Sequence, residues 1–188
     1  DECGVAIEEI DDQRHPHKFN FQKITENYWA DQGKVWPKGH PIEGQPIVLR
    51  DYQLDAINNF MDHPQGLQEL ATGAGKTITT ATLAKICEKY GRTITIVPNK
   101  SLVEQTEEDF LNCQLDVGVY YGDRKDLGKT HTICTWQSLN IMDKKNVDDN
   151  DLMSLAEFLD GVNCVMVDEV HMAKADVLKK LLTQHTAN

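Results

Sequence analysis

The segment Ala71-Thr72-Gly73-Ala74-Gly75-Lys76-Thr77 carries residue types at a spacing suited to holding a polyphosphate. Gly73 and Gly75 permit backbone conformations and a close approach that a Cβ would block. The loop amides, followed by a helix opening at Lys76, would point at phosphate oxygens. Lys76 places a cation at the β- and γ-phosphates, and Thr77 offers a hydroxyl to Mg2+. The first glycine of the G-x-x-x-x-G-K-[ST] pattern would fall at position 70, which is Leu70. An ordinary glycine turn ahead of a basic helix is the plain alternative.

A second group lies far downstream. Asp168-Glu169-Val170-His171 follows the apolar run 163–167. An acidic pair at the C-terminal end of a buried parallel strand sits where open α/β sheets bind their ligands. Asp168 is placed to hold Mg2+ and Glu169 to orient or deprotonate an attacking water. Alone, D-E-x-H is a weak signal, because a solvated strand end yields the same residues. Joined to the glycine loop, it favours a nucleotide-hydrolysis site.

The elements that must position these groups alternate between strand and helix. Leu54, Ile57, Phe60 and Met61 recur at helical spacing behind Asp51, the expected N-cap. A strand is expected over 66–70, then the glycine loop, then a helix over 76–90 closed by Gly91. The β-branched run 93–97 reads as a buried strand. A helix capped by Ser101 runs to Leu111, with strands over 117–121 and 130–135. A polar loop follows over 143–151, then a helix over 152–159, a strand over 163–167 and a helix over 176–182. This order predicts an α/β domain with a mostly parallel central sheet covered on both faces. Residues 1–48 hold Pro-rich breakers and little periodicity. They read as an accessory leader or the end of a preceding domain, with residues 49–188 as the main domain. His15 and His17 are potential metal ligands, but no third ligand is evident nearby, and a solvated turn is the favoured explanation.

Composition narrows the classes. The 188 residues hold 30 acidic residues against 19 Lys and Arg, a net charge of −11, so bulk charge does not draw this chain to nucleic acid and any such binding needs a local patch. No apolar run is long enough to span a bilayer, and the N-terminus has neither the basic nor the apolar region of a secretory signal. The five cysteines, at 3, 87, 113, 134 and 164, include no C-x-x-C pair. They suggest a reduced intracellular protein, cytoplasmic in location, or in a host cytoplasm if phage-encoded. Cys134 and Cys164, in strand-like runs, read as small hydrophobes.

The loop 71–77 and the box 168–171 resemble motifs I and II of the superfamily 2 helicases and translocases in their DExH branch. That family uses A-x-x-G-x-G-K-T, which accommodates Leu70. Three further segments match in order. Leu49-Arg50-Asp51-Tyr52-Gln53 resembles the adenine-reading Q-type motif. Val97-Pro98-Asn99-Lys100-Ser101-Leu102-Val103-Glu104-Gln105 resembles motif Ia. Thr135-Trp136-Gln137-Ser138-Leu139 resembles the T-x-Q-S-L motif that touches the nucleic-acid backbone. Within the superfamily the likeness extends to the recombination helicases of T4-like phages.

The resemblance implies a RecA-like, three-layer P-loop NTPase lobe with ATP and Mg2+ as cofactors. Lys76, Asp168 and Glu169 would be catalytic, and Thr77 and Asp168 would hold the metal. The phosphates would lie on Ala71, Thr72, Gly73, Ala74, Gly75, Lys76 and Thr77. Gln53 would read the adenine edge beside Tyr52. Lys100, Gln105, Thr135, Trp136 and Gln137 would face nucleic acid, DNA rather than RNA, with Trp136 equally explained as core. His171 would relay nucleotide state. The family's S-A-T-type motif and second RecA-like lobe do not appear before Asn188. The expectation is therefore a first lobe with half of an active site, nearly inactive alone, from a motor of recombination, repair or branch migration. A restriction translocase or RNA helicase would use the same motifs. A P-loop kinase or a P-loop binding module without helicase activity explains the glycine loop alone.

Overall fold

The computed structural model describes residues 19–71, 73–143, 153–170 and 179. His15, His17, Thr72 and His171 lie outside the described residues, as do most of the polar loop and, apart from Lys179, the helix expected over 176–182.

In chain order the elements are α1 (Asp51–Asp62), α2 (Lys76–Cys87), β1 (Arg92–Val97), α3 (Lys100–Asn112), β2 (Val117–Tyr121), β3 (Arg124–Lys125), β4 (His131–Thr135), α4 (Trp136–Asp143), α5 (Leu155–Leu159) and β5 (Val162–Val167). The strands form one sheet in the order β3-β2-β4-β1-β5. All pairings are parallel except that of the two-residue β3, which runs antiparallel to β2.

Both faces of the sheet are covered, which is why its central strands read as continuous apolar runs. Ile94 and Ile96 of β1 point into a cluster with Trp136, Leu139, Leu155, Phe158 and Leu159. Val97 joins the opposite cluster, with Ala81, Leu83, Val103 and Phe110 of α2 and α3. Phe110 and Phe158 are fully buried on opposite faces. Each such burial is worth about 1.5–3 kcal/mol. Cys134 and Cys164 occupy buried strand positions, as expected.

Four local expectations change. The segment 66–70 joins no ladder among the described residues. Leu67 is 80% exposed, and the Gln68 side chain instead donates to the Ala56 carbonyl of α1 at 2.8 Å. Without a neighbouring strand to receive its amides, an apolar pattern alone does not make a strand. The N-cap of α1 is Arg50 rather than Asp51, because the Gln53 side chain accepts the Arg50 amide at 2.9 Å. The cap of α3 is Asn99 rather than Ser101, its Oδ1 accepting Leu102 N–H at 3.0 Å. The helix expected to run to 90 is α-helical to Cys87 and tightens to a 3-10 turn over Glu88–Tyr90.

Part of the segment read as a leader lies in the main core. Trp29 is fully buried with Ile47 and Leu49. Its indole N–H donates to Thr82 Oγ1 on α2 at 2.8 Å. Phe19 and Phe21 pack on Tyr90, and Phe21 on Phe60. These residues are spaced by turns rather than by a helical or strand period, so no periodicity announces them.

Candidate functional site

The register fixes where the motifs meet. Val97 pairs with Thr135 and Ile96 with Val167, so β1, β4 and β5 finish together. Beyond these ends lie the start of α3, the start of α4 and the acidic pair. Asp168 N–H still bonds to the Ile96 carbonyl, at 2.9 Å, so the backbone that carries the first carboxylate is anchored to β1.

The glycine loop turns tightly here. Ala74 N–H bonds to the Ala71 carbonyl at 3.1 Å. Gly73 and Gly75 have φ of 78° and 75°, the left-handed region that L-residues avoid. Gly75 is the N-cap of α2, so the free amides of the helix's first turn begin at Lys76.

Lys76 Nζ lies 2.8 Å from Glu169 Oε1, each side chain about 30% exposed. This contact, with Asp168 nearby, pushes the Lys76 ammonium above its ordinary range against a small opposing effect of burial. Glu169 has φ 50°, unusual for a non-glycine residue, and its amide donates to Asp168 Oδ1 at 3.0 Å. Backbone strain of this kind concentrates at functional sites.

Thr77 lies close to the Asp109 carboxyl of α3. Burial raises the Asp109 carboxyl above the usual range, and the neighbouring Thr77 hydroxyl opposes that shift. The sequence pattern missed Asp109: it lies in a helix beyond motif Ia, and only tertiary packing brings it to Thr77.

Gln53, expected to read the adenine edge, is held within the chain in this structure. It is 4% exposed. Its amide oxygen accepts Arg50 N–H at 2.9 Å and its amide nitrogen donates to the Ala74 carbonyl at 2.7 Å. Both ends of the group are therefore engaged inside the chain. Tyr52 is exposed at the rim; its hydroxyl donates to the same Ala74 carbonyl at 3.0 Å and accepts from Arg50 Nη1 at 2.7 Å.

The five residues expected to face nucleic acid divide. Lys100, Gln105 and Gln137 are exposed. Lys100 is loosely paired, 3.7 Å from Glu104, and lies near the Tyr121 ring. Thr135 and Trp136 are buried, Trp136 in keeping with the core alternative. Thr135 Oγ1 accepts Ser138 N–H at 3.4 Å and bonds to Ser138 Oγ at 3.1 Å, capping α4. Trp136 packs in the core behind it. A side chain that follows a strand end inward is spent on local structure, and only Gln137 turns outward.

Comparison with known proteins places this geometry. The family model described as type III restriction enzyme, res subunit, matches residues 46–188. The putative DNA 3'-5' helicase Rad25 of Halobacterium salinarum is 27% identical over 163 residues, 78% of this chain and 25% of that protein. The DNA 3'-5' translocase XPB2 of Sulfurisphaera tokodaii is 33% identical over 127 residues, 66% of this chain and 27% of that protein. The chain spans about a quarter of the length of these relatives. Among solved structures, the UvsW helicase from bacteriophage T4 superposes with a TM-score of 0.67 at 17% identity, over 88% of this chain and 58% of that one, a likeness of fold.

Proposed function

The chain belongs to the family of the type III restriction enzyme res subunit, and from that premise we propose that it is the ATP-binding first motor lobe of an ATP-dependent DNA helicase or translocase. The observation that carries the proposal is the Lys76–Glu169 contact, which joins the glycine loop to the acidic box across the sheet end. The names of the relatives favour DNA over RNA, and recombination, repair or branch migration is the setting we propose. The family description keeps a restriction translocase as the second reading.

The residues fit a Mg2+-nucleoside triphosphate. Gly73 and Gly75 leave the loop open to phosphate oxygens, Lys76 holds a cation at its edge, and Thr77 and Asp168 form the oxygen donor set that Mg2+ prefers. When bound, Mg2+ supplies charge neutralisation across the β- and γ-phosphates. Lys76 would hold the γ-phosphate in exchange for Glu169, and the Glu169 carboxylate would then be available to a water as hydrogen-bond acceptor and base. Asp168, anchored on β1, fixes the spacing between loop and box. His171 is proposed to pass nucleotide state to neighbouring motifs, and Lys100, Gln105 and Gln137 to meet the DNA backbone, where contacts position without reading sequence. The lobe is proposed to span 49–188, with the preceding segment that holds Trp29 and Ile47 packed into its core, and to work with a second RecA-like lobe that contributes an arginine.

Calorimetry of ATP binding tests the core of this proposal. Lys76→Ala removes charge-assisted hydrogen bonds to phosphate, an expected loss of about ten- to a hundredfold in affinity. Equal affinity in wild type and variant would overturn it.

A further inference from the structure

Two thiols that the nucleotide site does not use meet at the end of α2 away from Lys76. Cys87 is the last residue of α2, Cys164 lies in β5, and both are buried. Strand alternation fixes the side of Cys164. Met166 of β5 packs against the cluster that holds Ala81, Leu83, Ala84 and Ile86 of α2. Residues two apart on a strand share a face, so Cys164 points toward the same helix. α2 and β5 are in direct contact. The chain around the two thiols is stitched together as well. Arg92 N–H bonds to the Gly161 carbonyl at 2.9 Å, and the Asn163 side-chain amide donates to the Tyr90 carbonyl. Arg92 Nη1 reaches the Phe158 and Asp160 carbonyls at 3.3 and 2.9 Å. The result is that the Cys87 and Cys164 thiols lie close together.

We propose that Cys87 and Cys164 are a redox-sensitive pair that hydrogen peroxide converts into a disulfide, a reversible covalent lock between α2 and β5. The two thiols differ in character. Cys164 and the Lys89 ammonium hold the Cys87 thiol below its ordinary value against burial, whereas the same contact and burial raise Cys164 well above it. Cys113 is pushed up to about 12 by burial, and Cys134 is raised by burial as well. The thiolate is the nucleophile, so Cys87 reacts first. Its sulfur attacks one peroxide oxygen, the O–O bond breaks, and the products are a Cys87 sulfenic acid and water. The Cys164 sulfur then attacks the Cys87 sulfur, the S–O bond breaks, and the hydroxyl leaves with the Cys164 proton as a second water. Two thiols are oxidised and one peroxide is reduced. Hydrogen peroxide is small enough to enter when the 3-10 turn Glu88–Tyr90 beside Cys87 loosens. The bridge constrains the unfolded chain between 87 and 164, so the oxidised lobe resists unfolding. It closes at the opposite end of α2 from Lys76, so this inference does not depend on the nucleotide reading.

The test exposes the 188-residue chain to hydrogen peroxide, quenches it with N-ethylmaleimide in urea and maps the cysteines by mass spectrometry. The expected result is that Cys87 and Cys164 leave the alkylated pool together and return as one cross-linked peptide pair. Dithiothreitol should restore both thiols, while Cys113 and Cys134 stay alkylatable throughout. In Cys164→Ser, Cys87 should stop at the sulfenic acid, which dimedone labels, and in Cys87→Ser, Cys164 should not react. The urea midpoint of the oxidised wild type should rise above that of the reduced chain, with no rise in Cys164→Ser. Mapping the wild type needs no variant, so a variant that fails to fold leaves the test intact. Cys87 and Cys164 that stay as alkylatable as Cys113 and Cys134, or a bridge from Cys87 to a different cysteine, would overturn the pairing. A Cys87–Cys164 bridge that leaves the urea midpoint unchanged or lower would overturn the lock.

Discussion

Lys76 Nζ and Glu169 Oε1 stand 2.8 Å apart although 93 positions separate them in the chain. The contact balances the charge of the site, and it ties the first residue of α2 to the end of β5. In the proposed reading a triphosphate would take the lysine from the carboxylate, so the event that secures the nucleotide would also release the residue proposed to act on water.

Glu169→Gln follows from this relationship. The amide keeps the shape of the side chain but is no base and carries no charge to hold Lys76. ATP affinity should be retained or rise by about two- to fivefold, because a partly exposed ion pair contributes no more than about 1 kcal/mol. Turnover of the full-length protein should stop. The 188-residue chain alone should hydrolyse ATP very slowly, since an arginine from a second lobe can be worth ~10³ or more in rate. Calorimetry and a phosphate-release assay measure both halves. Brisk, DNA-stimulated turnover by the chain alone would contradict the half-site view.

The two loop glycines should respond differently to alanine. Both have left-handed φ, which costs an L-residue roughly 1–2 kcal/mol. At Gly73 nothing lies within 4 Å of an added Cβ, so that strain is the whole cost. At Gly75 the Cβ meets Gln53 Nε2 at 2.5 Å and displaces the amide from Ala74. Gly75→Ala should therefore destabilise more than Gly73→Ala in urea unfolding and lose more nucleotide affinity. Equal effects would mean the contact with Gln53 is slack.

The periodic part of the fold was legible in the sequence, and the parts built by tertiary contact were not. The β-branched run ending at Val97 and the apolar run ending at Val167 pair as parallel neighbours; β1 is buried almost throughout, whereas β5, an edge strand among the described residues, is buried at Val162 and Cys164 and half-buried from Val165 on. The loop and the acidic box were legible for a chemical reason, since few residue types can turn a backbone toward phosphate or hold a metal. Trp29 was missed because its neighbours follow turns, yet it is one of the largest fully buried side chains. A motif names residue types without saying which way they face, so the in-chain partners of its side chains are not legible from it: Ser138 for Thr135, the apolar core for Trp136, and Ala74 for Gln53.

That division makes a prediction about DNA binding. Lys100→Ala, Gln105→Ala and Gln137→Ala should weaken binding with little change in stability, because the three side chains are exposed. Lys100→Ala should also flatten the dependence of affinity on salt by roughly one counterion. Thr135→Val should do the reverse, lowering stability by about 1 kcal/mol through loss of the α4 cap while leaving the salt slope unchanged. Fluorescence anisotropy across a salt series, beside urea unfolding, separates the two behaviours. A changed salt slope in Thr135→Val would return that residue to the DNA surface.

His131 gives the fold a pH dependence away from the nucleotide site. It is fully buried at the start of β4, with Nδ1 2.8 Å from Thr93 Oγ1 and Nε2 3.1 Å from Glu88 Oε2. Burial pushes its pKa below the ordinary histidine value, and the Glu88 carboxylate only partly offsets this. The folded chain thus resists protonation that the unfolded chain accepts from about pH 6.5 downward. The sign follows from proton counting. Above the unfolded value both states are neutral and His131 contributes its full stability. As pH falls the unfolded state binds the proton first, and stability drops until the folded pKa is passed. The slope in that window reaches about 1.4 kcal/mol per pH unit. His131→Gln keeps hydrogen-bonding capacity and removes the titration. Urea midpoints for wild type and His131→Gln at pH 7.5, 6.5 and 5.5 should converge as pH falls, the other histidines cancelling in the comparison. A difference that stays constant across the series would show that His131 does not change its proton affinity on folding.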